Sequence, residues 1–294
     1  MADQVIRPAG LGIDLPSPAQ VRTRALVNTT LWRAFLAFVF LALFGPLLIL
    51  LLFSFNDSSI LAFPLAGFTT HWYSLAWQDT LLRQSLVNST TVALVVTPFC
   101  LVLGTLTAFG LTRFRFRGRG AVGGLVGAPL ILPWLIIGIA ALMAYGRLHV
   151  ALNLRTVIAT QTICTFPLVT AIIAAQLFRF EREQEEAAID LGCSRLQVLR
   201  HIILPHIASA LAASAIFAFT WSFNNFEISF FTIGFQQTFP IWVYSSVRNP
   251  DHTAVVNAIS VVISVVQVAL IYLAVRLLRR GSDDETGVIV AVAA

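Results

Sequence analysis

Lysine is absent from this chain: all nineteen of its basic residues are arginine. Composition therefore excludes a phosphate-binding loop of the G-x-x-x-x-G-K-[ST] type and any lysine Schiff-base chemistry. Charge of either sign is scarce, with 11% charged residues where an average globular chain carries about 25%. With 57% hydrophobic residues over 294 positions and a mean hydropathy of +0.83, the chain lacks the polar surface that a water-soluble enzyme needs. It belongs in a bilayer. The three cysteines, Cys100, Cys164 and Cys193, are scattered and give neither a disulfide framework nor a metal-ligand spacing. They read as small buried hydrophobes. The histidines add no ligand set, because His201 and His206 fall about 140° apart around a helix. No metal site is expected. No nucleophile with a base and no paired carboxylates can be assembled, so no catalytic residue is expected either. The net charge of +5 forms no basic face for nucleic acid, since the arginines sit in short clusters between apolar runs.

What is present is a series of uncharged runs: Ala34 to Phe55, Gln84 to Thr112, Gly120 to Gly146, Thr156 to Phe178, Ile202 to Phe226 and Thr253 to Val275. Each has the roughly 20 residues that a spanning helix requires. A further run from Ile228 to Val247 contains Gly234, Gln236, Gln237 and Pro240, and reads as the end of the fifth span plus a loop. The segment before the first span carries Pro8, Pro16 and Pro18 and no apolar core resembling a signal peptide, so the first span is expected to stay as an anchor. Arg7, Arg22, Arg24 and Arg33 precede span one; Arg113, Arg115, Arg117 and Arg119 follow span two; Arg179, Arg182, Arg195 and Arg200 follow span four; Arg276, Arg279 and Arg280 follow span six. The opposite side holds only Arg83, Arg147, Arg155 and Arg248. By the positive-inside rule this contrast predicts an all-α membrane protein of six transmembrane helices with both termini cytoplasmic.

Several smaller features stand out. His71, Trp72, Tyr73 and Trp77 cluster in the outer segment from Asn56 to Arg83. They suit either an interfacial aromatic belt or a docking surface for an extracytoplasmic partner. Gly120, Gly124, Gly123 and Gly127 form two overlapping GxxxG patterns that allow close helix approach. Gly287 to Ala294 is too short to span. Trp221, Asn224, Asn225 and Glu227 place two amides and a carboxylate at the end of the fifth span, and Glu227 is the lone acid in any span or its edge. An ionisable group at depth normally faces a cavity, a partner or a pathway. On a continuous helix Asn224 and Glu227 share a face and Asn225 is turned about 100° away. Pathway lining, an interhelical bond and a position near the outer interface all remain open for Glu227.

The most patterned segment lies between spans four and five: FRFEREQEEAAIDLGCSRLQVLRHIILPH. Glu181 to Leu191 is rich in helix formers. After it Leu196, Leu199, Ile202 and Ile203 recur at three- and four-residue spacing, which predicts two short helices joined at Gly192. Glycine permits the tight or left-handed turn between them. Ala187 and Ala188 beside Glu186 would let another protein approach closely, with the carboxylate as a point of charge recognition. An amphipathic helix lying on the inner leaflet fits the same residues.

Glu186, Ala187, Ala188, Gly192, Ile202, Leu204 and Pro205 match the E-A-A-x3-G-x9-I-x-L-P motif at every specified position. That motif belongs to the membrane subunits of bacterial binding-protein-dependent ABC importers. Ser54-Phe55-Asn56, Asn88-Ser89, LGTLTAFGLTRFRFRGR from Leu103 to Arg119 and PLILPWLIIGIAAL from Pro129 to Leu142 resemble the second permease of the spermidine/putrescine-type subfamily. The resemblance covers roughly residues 31 to 280. It implies a type I ABC importer permease of MetI-like fold, in three parts: a cytoplasmic N-terminal segment 1–30, a six-helix permease domain 31–280 containing a coupling loop 179–206, and a cytoplasmic tail 281–294. Located in the bacterial inner membrane, such a subunit pairs with a second permease and two copies of a cytoplasmic ATPase, which bind the ATP and Mg²⁺, and receives its solute from a periplasmic binding protein. Glu186 would recognise the ATPase, Gly192 would shape the lever, and Pro205 would mark where the loop gives way to span five. No cofactor is implied in this chain itself. Polyamine-type relatives commonly show adjacent acids near Asn224 and Asn225; here these are amides and the acid lies two residues later. The implied cargo is a small polar solute, cationic or zwitterionic, along a pathway through Trp221, Asn224, Asn225 and Glu227. A self-sufficient secondary transporter or channel is the competing reading. It would need its own ion-coupling groups, and Glu227 alone is available.

Overall fold

The computed structural model describes the backbone of residues 18–58, 60, 62–249 and 252–292, with side chains from residue 30 to 276 apart from 59, 61, 250, 251 and 274. Arg7, Pro8, Pro16 and the side chains of Arg22, Arg24, Arg279 and Arg280 lie outside the described residues, as do the rest of segment 1–17, residues 293 and 294 and the side chains of 281–292. The chain forms two compact units that divide between Phe53 and Ser54. The first is helix α1 (Pro18–Ser54); its stretch Thr30–Ser54 is long and apolar enough to cross a membrane.

The second unit holds the remaining helices: α2 (His71–Gln78), α3 (Thr80–Arg113), α4 (Arg119–Ile131), α5 (Trp134–Arg147), α6 (Leu154–Arg179), α7 (Arg182–Asp190), α8 (Arg195–Val198), α9 (Leu204–Phe223), α10 (Glu227–Thr232), α11 (Phe239–Ser246) and α12 (Thr253–Val292). Four more spanning stretches lie here: Thr80–Arg113, Leu154–Arg179, Arg195–Phe223 and Thr253–Leu273. With α1 they make five candidate spans among the described residues, and six if the bent pair α4–α5 crosses as one.

That pair corrects the expectation of an uninterrupted third span from Gly120 to Gly146. The chain turns by 104° between Ile131 and Trp134. Proline disfavours the helical region for the residue before it, and Leu132, ahead of Pro133, is extended at φ −79°, ψ 137°. Pro133 in turn starts α5, where its missing N–H costs no helical bond.

The core of this unit is the contact of α3 with α6, the most extensive between any two helices. Gly104 of α3 makes it possible: a Cβ there would stand 2.6 Å from Cγ1 and 2.9 Å from Cβ of Val169, and 3.1 Å from the Thr170 amide nitrogen. Within this chain the GxxxG glycines meet no such neighbour. Gly120, Gly124 and Gly127 have nothing within 4 Å of a built Cβ, and Gly123 meets only Leu111 at 4.0 Å. A second close approach is at Gly138 of α5, whose Cβ would lie 3.0 Å from the Glu227 carbonyl oxygen and from Cδ2 of Phe231. The outer aromatic cluster forms α2. Its Trp72 indole donates to the Asn56 carbonyl at 2.8 Å and its Tyr73 hydroxyl meets Ser54 Oγ at 2.9 Å, while Trp77 stays exposed.

Candidate functional site

Two places concentrate polar chemistry. The first is the loop between α6 and α9. Helix α7 ends in a Schellman turn: the Cys193 amide donates to the Ala188 carbonyl at 3.0 Å and the Gly192 amide to the Ile189 carbonyl at 2.9 Å, with Gly192 at φ +91°. This is the αL position that glycine adopts without a Cβ penalty. Ser194 then opens α8 with a capping box, its amide donating to Gln197 Oε1 at 2.7 Å. The expected pair of helices joined at Gly192 is present.

One detail differs from expectation. Ala187 faces outward, but Ala188 is buried in the core with Val198, Ile203 and Phe180, so a single small residue of the pair offers room to a partner. Pro205 stands in the first turn of α9. The helix runs unbroken from Arg195 to Phe223, passing through a π-helical turn at Leu199–Ile203 whose next amide, that of Leu204, reaches the Leu199 carbonyl. Pro205 has no N–H to donate, so the residues ahead of it are free to take the wider turn.

The outer surface of the loop combines charge with apolar area. Glu186 is exposed and pairs with Arg182 one turn earlier at 3.3 Å. Beside it Ile189, Leu191 and Leu196 are exposed, Leu191 to 87%. Exposed apolar residues grouped within a polar rim mark an interaction surface. On its inner side the loop is held by Glu185, whose Oε1 lies 2.6 Å from Arg113 Nη2, both side chains 16% exposed. The Arg113 guanidinium also sits over the Phe180 ring at 5.6 Å, and that ring packs on His206 at 4.6 Å. Sequence reasoning counted Arg113 among the arginines that set the orientation and did not pair it with Glu185.

The second place is the end of α9. The helix stops at Phe223 rather than running to Phe226, and α10 begins at Glu227. Buried Asn225 supplies the reason: its Oδ1 accepts from the Ile228 amide at 3.1 Å, as an N-capping side chain does. This break overturns the helical-wheel expectation that Asn225 points away from Asn224 and Glu227. Trp221, Asn224, Asn225 and Glu227 all line one cavity of about 290 Å³, together with Phe217 and Thr220. Trp221 meets Trp134 edge-on at 5.0 Å and stacks on Phe217 at 5.2 Å. Asn224 also lines a larger cavity of about 570 Å³, whose wall includes Phe239, Tyr244, Arg248 and the polar row Ser260, Ser264 and Gln267 of α12. Gln267 Nε2 donates to Asn224 Oδ1 at 3.3 Å where the two cavities share that residue. Arg248 lies over the Tyr244 ring at 4.6 Å and donates to its hydroxyl.

The break is held by a buried polar set that sequence reasoning missed. Gln161 of α6 donates to Ser229 Oγ at 2.9 Å and accepts from Ser222 Oγ at 2.5 Å, tying α6 to the last turn of α9 and to α10. The signal was a glutamine within the apolar run Thr156 to Phe178. The row on α12 was also readable, as Ser260, Ser264 and Gln267 recur at helical spacing.

Several membrane-length helices, a sharply bent helix pair and a two-helix loop with an exposed charged and apolar face define a multi-span membrane protein. Residues 100–283 match the family described as binding-protein-dependent transport system inner membrane component, and the chain belongs to that family. It is a transport permease. The spermidine/putrescine transport system permease protein PotC of Escherichia coli (strain K12) is 30% identical over 266 residues, covering 89% of this chain and 99% of that protein. The putrescine transport system permease protein PotI of the same organism is 33% identical over 258 residues, covering 83% and 91%. Among solved structures, a bacterial ABC transporter involved in the import of the acidic polysaccharide alginate superposes with a TM-score of 0.65 at 18% identity, covering 90% of this chain and 99% of that one. The MetNI methionine ABC transporter in an inward-facing conformation gives 0.53 at 17% identity, covering 71% and 98%. The fold is that of ABC importer permeases.

Proposed function

We propose that this chain is the membrane subunit of an ATP-driven importer that moves a small cationic or zwitterionic solute of polyamine type through the bacterial inner membrane. Its six spans leave both termini and the loop 179–206 in the cytoplasm. The loop docks on one of two copies of a separate ATPase, which binds ATP and Mg²⁺, while a second permease completes the pathway and a periplasmic protein delivers the solute. The observation that carries this reading is the seven-residue motif from Glu186 to Pro205 lying on a bent, exposed two-helix loop. Glu186, Ala187, Ile189, Leu191 and Leu196 present its recognition face. The carboxylate of Glu227 beside Trp221 and Phe217 supports an ammonium group as cargo, since aromatic faces and a carboxylate both attract cations. ATP closure moves the loop only if nucleotide favours one arrangement of the subunits over the other.

Affinity purification of the tagged chain from its native membrane tests the reading. An ABC ATPase should co-purify, and solute uptake should stop when that ATPase is inactivated. Uptake that persists without the ATPase would instead support a self-sufficient transporter.

A further inference from the structure

The two-helix loop and the cavity lie at opposite ends of α3, and α3 is tied to both. At its last residue, Arg113, the helix carries a guanidinium where the C-terminal end of the helix dipole favours a cation. That guanidinium holds Glu185 of α7 at 2.6 Å in a largely buried pair. Arg113 Nε, Arg113 Nη2 and Glu185 Oε1 are buried and have no hydrogen-bond partner, so the contact between them is one of charge. Buried ion pairs add little net stability compared with apolar residues of the same size, whereas removing one partner leaves a costly unpaired charge. Such a pair therefore suits a joint that must keep two elements in register better than it suits simple reinforcement. The more extensive contacts of α7 are with α8 and the π-turn, not with α3.

At the other end of α3, Asn88 Nδ2 donates to the Gln237 carbonyl at 2.7 Å, and Ser89 Oγ accepts from the Phe239 amide at 2.8 Å. Phe239 and Pro240, next along the chain, wall the 570 Å³ cavity. Between these two ends α3 is one continuous helix with Pro98 inside it, which removes one backbone hydrogen bond but leaves the turns on either side joined, so a displacement at one end reaches the other.

We propose that Arg113 and Glu185 form the joint through which displacement of the loop passes to α3 and, along α3, to the Gln237–Phe239 segment that walls the cavity. This rests on the reading that the loop docks on an ATPase. Arg113 and Glu185 are positioning residues: they touch neither nucleotide nor cargo.

The test uses the complete transporter, permeases and ATPases together, reconstituted in lipid, with Cys193→Ser as background so that nitroxide labels attach to chosen exposed sites. Labels at Trp77→Cys and Phe235→Cys report the cavity end by electron–electron double resonance, with and without ATP plus vanadate. In the background the distance should change by several ångströms on trapping (on the order of the shifts that switching proteins show). Glu185→Gln and Arg113→Gln should each abolish the change while the assembled complex still hydrolyses ATP. The reversed pair, Arg113→Glu with Glu185→Arg, should restore it. A change that persists in either single variant overturns the proposal, and so does its absence from the background. Loss that the reversed pair fails to repair, or failure of both single variants to assemble, assigns the pair to stability alone and also overturns it. The underlying reading fails separately, if no ATPase co-purifies with the background protein.

Discussion

Gly192 is held at φ +91°, yet the position its Cβ would take is open, with nothing within 4 Å. The cost of Gly192→Ala is therefore conformational alone, about 1–2 kcal/mol for an L-residue in the left-handed region. Asparagine enters that region more readily. The amount of ATPase retained per permease on purification should fall in the order Gly, Asn, Ala, and equal retention by all three would remove the requirement for a bent loop. Glu227 belongs to the same scale. Its carboxylate lines the 290 Å³ cavity beside Trp221, whereas its backbone is fixed by contacts that do not involve the side chain, at Gly138 and at the start of α10. Glu227→Gln keeps the shape and removes the charge. Solute uptake in cells carrying the complete system should drop about tenfold, the equivalent of ~1.4 kcal/mol, with assembly and basal ATPase unchanged. Unaltered transport kinetics would reject a pathway role for this side chain.

At the scale of helix pairs, the glycines differ in what surrounds them within this chain. The patterned set in α4 has open space around it, and the isolated Gly104 lies where α3 and α6 touch. Gly104→Ala forces its methyl against Val169 and the Thr170 backbone; backbone cannot step aside as a flexible side chain can, so overpacking should cost about 1–3 kcal/mol. Gly124→Ala meets nothing and should be neutral or slightly stabilising, since alanine is the better helix former. Thermal denaturation of the two purified variants distinguishes them, and equal melting temperatures would show that the α3–α6 contact yields. The comparison also marks how far the sequence could be read. Spans were legible because a long apolar run has few alternatives to a membrane helix. The bend at Leu132–Pro133 was written in the sequence as a proline restricting its predecessor, but the run's hydropathy masked it. The break at Asn224–Asn225 was hidden because asparagine has only a weak bias against helix and its capping bond depends on Ile228 being in place. Arg113 and Glu185 are remote in sequence, and nothing short of tertiary packing joins them. The bend of the loop at Gly192 was legible, since its glycine and its capping serine are local signals, whereas the burial of Ala188 and the π-turn at Leu199–Ile203 were not.

For the molecule as a whole, the proposed mechanism requires one fact of topology: the loop must face the compartment that contains ATP. The arginine clusters after spans two and four support that orientation, because positively charged loops are retained on the cytoplasmic side. A thiol already in the chain reads it. Against the expectation that all three cysteines are buried, Cys193 is exposed on the loop, next to Gly192, whereas Cys100 and Cys164 are buried, so a bulky membrane-impermeant maleimide should modify Cys193 alone. In intact cells stripped of their outer membrane, Cys193 should stay unmodified; in inside-out vesicles washed free of the ATPase it should react. With the ATPase in place, reaction should slow at least several-fold, because Cys193 adjoins the exposed face formed by Ile189, Leu191 and Leu196 and docking would bury its surroundings. Each arm addresses a different claim. Reaction from outside would invert the topology and remove the coupling role together with it. Reaction from inside at the same rate with and without the ATPase would keep the topology and place the docking surface elsewhere. Protection that also weakens in Leu191→Ala would locate the contact on the apolar side of the loop, where burial of a leucine contributes about 1.5–3 kcal/mol, and would leave Glu186 to orient a contact whose strength comes from its neighbours.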